Sequence, residues 1–155
     1  MAKHSQRAAR RGALTLVTIG TLAACTDHTG PGEGPVVVQA IAMEKPLPGA
    51  APVIHYRIEN IGSRPVFILA CGEHLVAELE QRHSGGAAWG PADAAVRCPA
   101  NLLYLPMVVG AHGAGEGYVA VPGRGTYRLR VPYRIGHREG HVAAAVSASI
   151  EVVAS

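Results

Sequence analysis

Thr126-Tyr127-Arg128-Leu129-Arg130-Val131-Pro132-Tyr133-Arg134-Ile135 decides the fold of this chain. Tyr127, Leu129, Val131, Tyr133 and Ile135 alternate with Thr126, Arg128, Arg130, Pro132 and Arg134, a period of two held for ten residues. A helix would spread the three arginines around its cylinder, whereas a strand lines them up on one wet face and buries the other. Pro132 has no N–H to give a ladder, so it marks an edge, a bulge or the end of full pairing.

Outward from this strand the pattern repeats with lower contrast. Ile54, Tyr56 and Ile58 alternate with His55, Arg57 and Glu59, and Asn60-Ile61-Gly62-Ser63-Arg64-Pro65 then turns the chain into Val66 to Cys71, which reads as a hairpin. Leu75, Ala77 and Leu79 alternate with Val76, Glu78 and Glu80, and Ala144, Val146, Ala148, Ile150 and Val152 alternate with small or polar residues. Val36 to Met43, Asn101 to Val109 and Gly117 to Val121 complete the set. Ala87 to Val96 and Val142 to Ala148 have helical propensity, but Gly90 and Pro91 break the first and the second lies where the arginine strand needs a partner. With 19 glycines and 11 prolines punctuating short runs, the expectation is an all-β fold, an antiparallel β-sandwich of about seven to eight strands.

Gly125-Thr126-Tyr127-Arg128-Leu129 resembles the tyrosine corner of immunoglobulin-like domains, in which a tyrosine follows a glycine near the start of a strand. The resemblance implies an immunoglobulin-like domain over residues 36–155, with the Tyr127 hydroxyl bonded to upstream backbone. Leu129 stands where antibody domains carry a sheet-bridging cysteine, so the likeness is to bacterial Ig-like domains broadly. Ser84-Gly85-Gly86-Ala87-Ala88-Trp89 resembles a hairpin of small bacterial proteinase inhibitors, and its physical reading is a glycine turn with Trp89 capping the core.

The N-terminus carries a different message. Lys3, Arg7, Arg10 and Arg11 precede an uncharged, mostly apolar stretch from Ala13 to Ala24, too short for a permanent transmembrane helix. Leu22-Ala23-Ala24-Cys25 closes it and resembles the cleavage and lipidation site of bacterial lipoproteins. That resemblance implies a signal peptide over 1–24, a lipidated Cys25, and membrane attachment in the cell envelope on the periplasmic or outer side. Thr26 to Pro35 contributes no core residue and reads as a tether, residues 25–35 being a flexible leash.

Cutting before Cys25 leaves 131 of the 155 residues, enough for one domain with a modest core. The chain's formal charge of +3 loses four basic residues with the signal and falls near −1. Nucleic-acid binding thereby loses its electrostatic support, since phosphate contacts need a net basic surface. Cys71 and Cys98 remain as an even pair in an exported chain, and a disulfide between them is expected.

Chemistry is sparse in the remaining residues. His137 and His141 are four apart on an expected hairpin tip, where the spacing does not converge as it does on a helix, and the intervening order is not that of zinc proteases. Cys71 and His74 have metal-ligand spacing but lack a full set of companions. No nucleophile elbow and no phosphate loop occurs. The expectation is therefore a non-enzymatic module with no cofactor that contacts an unknown protein partner. Its candidate surface is Arg128, Arg130 and Arg134 with Glu78, Glu80 and Trp89, or the tip from His137 to His141. The alternatives are a small-ligand or metal carrier using some of the eight histidines, and a proteinase-inhibitor-like binder, for which Gly110 to Gly117 looks too flexible a loop.

Overall fold

The computed structural model describes residues 34–44, 50–83, 85–93, 98 and 102–153. The signal segment, Cys25 and the tether up to residue 33 lie outside the described residues, as do Ser84, Arg97 and Asn101. The described residues form strands β1 (Val36–Glu44), β2 (Val53–Asn60), β3 (Val66–Cys71), β4 (His74–Leu75), β5 (Glu78–Arg82), β6 (Trp89–Pro91), β7 (Tyr104–Val109), β8 (Ala114–Ala120), β9 (Gly125–Ile135), β10 (Val142–Val146) and β11 (Ile150–Val152). The fold is an immunoglobulin-like antiparallel β-sandwich, with β1-β2-β8 as the small sheet and the other strands as the large one. The strand count exceeds the sequence expectation because β4 and β5, like β10 and β11, are pieces of interrupted strands and β6 is a three-residue addition.

The arginine strand is β9, the axis of the large sheet, with β3 and β5 on one side and β10 and β11 on the other. Tyr127, Leu129, Val131 and Tyr133 are buried against Ile54, Tyr56 and Ile58 of β2 and Val36 and Val38 of β1, all in one core. Each fully buried aliphatic side chain of this kind stabilises the fold by about 1.5–3 kcal/mol relative to exposure. The Tyr127 hydroxyl donates to the carbonyl of Gly123 at 3.1 Å, the corner its sequence implied, and it fastens the crossover from β8 to β9.

The segment after β2 is not a hairpin. β2 belongs to the small sheet and β3 to the large one, so residues 61–65 carry the chain across the sandwich. Asn60 makes the crossover: fully buried, it donates through Nδ2 to the carbonyls of Arg64, Val109 and Gly110 at 2.8, 3.1 and 2.9 Å and accepts from Gly62 N at 3.1 Å.

Pro132 marks a parting of strands. Leu129 directs both its N–H and its C=O toward Ser147, so the alternate residues Arg128, Arg130, Pro132 and Arg134 direct theirs to the β3 and β5 side. Phe67 pairs with Arg134, and two residues on Leu69 would face Pro132, which has no N–H to offer. The Leu69 carbonyl instead accepts from Val76 N at 2.8 Å, and residues 70–75 part from β9 as a small excursion, the end of β3 staying on β7 while the chain turns at Gly72, whose φ is +63°, and folds back as β4. Glu78 to Gln81 then rejoin β9.

Tyr56 holds that excursion against the small sheet. Its buried hydroxyl donates to the Leu75 carbonyl at 2.8 Å and accepts from Ala77 N at 2.9 Å. Burial pushes the phenol up from 10.0 to about 12, the Ala77 bond only partly opposing it. Because the folded value lies above the unfolded one, the stability Tyr56 supplies is complete below pH 10 and is lost as pH rises through about 12. Two pH units correspond to about 2–3 kcal/mol. Tyr56→Phe is therefore expected to melt well below the parent at neutral pH, with the gap closing in alkali; melting curves that stay parallel throughout would contradict this.

Two further expectations need correction. Ala144 and Val146 do not share a face with Ile150 and Val152: Ala145 is buried, Val146 is exposed, and the register with β9 slips between Val146 and Ile150. Ser147 causes the slip by binding both polar groups of Leu129, through its own N–H and its Oγ. Ala114 to Gly117 are not loop but the start of β8. Gly115 and Gly117 face the excursion, where a Cβ would collide with Leu75.

Candidate interaction surface

The outer face of the large sheet carries the charged residues singled out from sequence, and it sorts them into two groups. Glu78 pairs with Arg130 and Glu80 with Arg128 in register across β5 and β9. Arg128 Nε donates to Glu80 Oε2 at 2.6 Å, Arg130 Nη1 donates to Glu78 Oε2, and Arg130 also lies 4.0 Å from the other oxygen of Glu80. Trp89 does not cap the core. It lies on the outer face beneath the Arg128 guanidinium, 4.5 Å from charge centre to ring, because β5 and β6 pair Arg82 with Trp89 on that side. The result is an electrically neutral ladder of five side chains. Such partly exposed pairs contribute about 0–1 kcal/mol each to stability.

Arg134 stands apart from the ladder. Pro132 separates it from Arg130, and its Nη1 donates to the Arg138 carbonyl at 2.8 Å on the tip that joins β9 to β10. Among the described residues no carboxylate pairs with Arg134. Its neighbours across the sheet are Phe67 and then Val108.

This half of the face is apolar, and it was not anticipated from sequence. Leu69 is 42% exposed and Val108 is 53% exposed, with Pro106 opposite Leu69. The clue is the run Leu102 to Val109, which is apolar at both parities and so cannot be one-face burial. Leu103 and Leu105 extend the apolar surface on the opposite side of β7, beyond the cover of the small sheet.

Cys71 and Cys98 form a disulfide with Cα atoms 5.6 Å apart, tying the end of β3 to the segment before β7 across 27 residues. A loop of that size is worth about 3–4 kcal/mol in the chain-entropy picture. Cys71 is thereby withdrawn from metal binding with His74. His74 instead meets the edge of Tyr118 at 5.4 Å, and Tyr118 stacks on His55 at 4.4 Å while His55 Nε2 contacts Glu116 at 3.0 Å. This cluster, on the outer face of the small sheet, joins the excursion to β8. Among the described residues no three histidine, cysteine or carboxylate groups converge as metal ligands. His137 and Arg138 are exposed on the β9–β10 tip. A depression lined by Gln81, His83, Arg124 and Thr126 opens widely to solvent, unlike the enclosed clefts that hold small ligands.

No family model and no curated protein matches the chain. Among solved structures it is similar to an ASH/PapD-like domain of human CEP192, at 18% identity over 83% of this chain and 92% of that one, with a TM-score of 0.39. It is also similar to the Northeast Structural Genomics Consortium target SoR45, at 11% identity over 77% of this chain and 83% of that one, with a TM-score of 0.37.

Proposed function

We propose that this chain is an exported lipoprotein, cut before Cys25 and held to the cell envelope by acyl groups on that cysteine, whose sandwich binds a protein partner without catalysing a reaction. The docking face in this reading is the apolar half of the large sheet around Leu69 and Val108, with Arg134 as its charged contact. What carries the reading is the contrast on one face: Arg128 and Arg130 are already neutralised and braced, whereas among the described residues Arg134 has no carboxylate and sits beside exposed apolar side chains. Contiguous exposed apolar surface beside a polar rim is the usual mark of a protein-binding site. The neutral ladder then serves as rim, excluding water and fixing orientation while contributing little affinity. The anchor is supported by the residues Leu22 to Cys25 and by a following segment, Thr26 to Pro35, built to link and not to pack.

The two halves of the reading are tested separately in cells producing the whole chain. Cys25→Ser is expected to release the protein from the membrane fraction, and unaltered sedimentation with membranes would remove the anchor. A photoreactive residue at Leu69 is expected to give a discrete adduct that Arg134→Glu with Val108→Glu abolishes. The same probe at Gln39, on the small sheet, should give none. Equal labelling at both positions, or labelling indifferent to the double variant, would remove the docking face.

A further inference from the structure

We propose that this chain pairs with a second copy of itself through the free edge of β10, so that the large sheet runs without interruption across a two-fold dimer. The inference follows from where backbone groups point. Leu129 turns its N–H and C=O toward the β10 and β11 side, and Val131 and Tyr133, of the same parity, do likewise. Their register partners Ala145 and Ala143 therefore complete the ladder with β9, and Val142, Ala144 and Val146 direct their peptide groups away from it. Among the described residues nothing bonds to those outward groups.

The edges of β1, β7 and β6 are blunted, and the edge strand β8 carries the charged Glu116. β1 carries a register break between Ala40 and Ala42, leaving Ile41 as an extra residue. On β7, Pro106 faces Leu69, whose groups point away from β7, so the N–H that proline lacks is the one that would face outward. Pro91 on β6 is placed the same way, because Leu79 bonds Ala92 and its neighbour Glu80 faces β9. Bulges and outward prolines are how sheets prevent edge pairing. β10, Val-Ala-Ala-Ala-Val, has no bulge, proline or charge.

A second copy fits this edge for reasons specific to its sequence. Val142 to Val146 reads the same in both directions, so an antiparallel two-fold axis at Ala144 sets Val142 against Val146 of the second copy and Ala144 against Ala144. Each of these pairs can exchange both of its hydrogen bonds. Val142 and Val146, 50% and 44% exposed on the outer face, then cover one another across the joint. Charge is complementary as well. The same register carries the tip before β10, which holds Arg138, toward β11 of the second copy, which holds Glu151, and by symmetry the reverse; neither residue has an ion-pair partner among the described residues of its own chain. The joint is short, so association is reversible and rises with concentration.

This dimer uses neither Cys25 nor the face around Leu69, and it stands or falls independently of both. The test is disulfide trapping of Ala144→Cys in chain isolated from cells expressing the whole sequence, with mild oxidation. In such a pair the Cα atoms lie about 5.5 Å apart, inside the disulfide range of about 4.4–6.8 Å. The expected result is a covalent homodimer at least about tenfold above that from Ala120→Cys on the small sheet, the difference a 1.4 kcal/mol preference would produce. No excess over that control would overturn the proposal, as would adducts to other proteins in place of the homodimer, which would assign the edge to a foreign strand. Ala144→Pro removes the outward N–H alone and leaves Ala143 and Ala145 on β9. It should melt with the parent yet lose dimer in sedimentation, and a folded proline variant that still dimerises would also overturn it. The cysteine variant decides the matter by itself if the proline variant does not fold.

Discussion

Gly117→Ala is expected to destabilise the protein by about 3 kcal/mol or more, at the upper end of overpacking effects. A Cβ at Gly117 would stand closer than 3.0 Å to the carbonyl oxygen of Leu75 and to the hydroxyl of Tyr56. The first of these is backbone and cannot swing aside. To make room, the excursion after β3 must move off β8, and in moving it breaks both Tyr56 bonds, to Leu75 O and from Ala77 N. The cost is therefore a clash plus three polar groups left without partners, the Tyr56 hydroxyl, the Leu75 carbonyl and the Ala77 N–H, each worth about 1–3 kcal/mol if it stays buried. Gly123→Ala is the matched control, since a Cβ there meets nothing within 4 Å. Denaturant midpoints should separate the two variants clearly. A loss below about 1 kcal/mol for Gly117→Ala would mean that the excursion is not held as described.

The effect shows how a turn-rich, glycine-rich sequence reaches a specific fold. Gly117 looks like loop punctuation in Gly110 to Gly117, but its role is to let two backbones approach closely. Sequence alone discloses which residues alternate; it does not disclose which strand lies opposite. β9 is legible because burial of one face imposes a strict period of two, and alternation puts Glu78 and Glu80 on one strand face, but their pairing with Arg130 and Arg128 is set by register. The crossover after Asn60 has the turn residues of a hairpin, because the same residues serve both connections. The phase of the last strand is hidden from sequence because one residue, Ser147, satisfies both backbone groups of Leu129 through its N–H and its Oγ and shifts the register without any compositional signal.

The candidate surface divides in the same way. Its charged residues stand out in the sequence as alternating charge, and its apolar half does not, because exposure of Leu69 and Val108 depends on none of the described elements covering that side. Prolines carry information that only register releases. Pro91 and Pro106 each remove a donor that would face out of the sheet, whereas Pro132 removes the donor that Leu69 would have used and so parts β3 from β9. Against that pattern, β10 presents an edge with no proline, bulge or charge.

Asn60 is expected to be the most sensitive polar position, with Asn60→Leu costing about 3–5 kcal/mol. Its side chain is nearly the same shape as leucine's, so the loss is of bonds and not of volume. Three carbonyls, from Arg64, Val109 and Gly110, lose the donor they share, and Gly62 N loses its acceptor. Those groups belong to the two crossovers that join the sheets at this end, and the neighbouring Ile61 N also bonds Pro35 O, where the tether enters. Asn60→Asp separates donor loss from acceptor loss. The carboxylate keeps the bond from Gly62 N but turns a negative charge toward three carbonyl oxygens in a buried site, so at neutral pH it should be worse than Asn60→Leu. Burial and the carbonyls hold the introduced carboxyl above its ordinary range, and a group whose folded pKa is raised favours folding progressively as pH falls through that value. Once protonated it can donate to one carbonyl, so the Asn60→Asp deficit, measured against the parent at each pH, should shrink on acidification while that of Asn60→Leu stays constant. A deficit independent of pH would show that the Asn60 side chain is solvated and that the crossovers are held by backbone bonds alone.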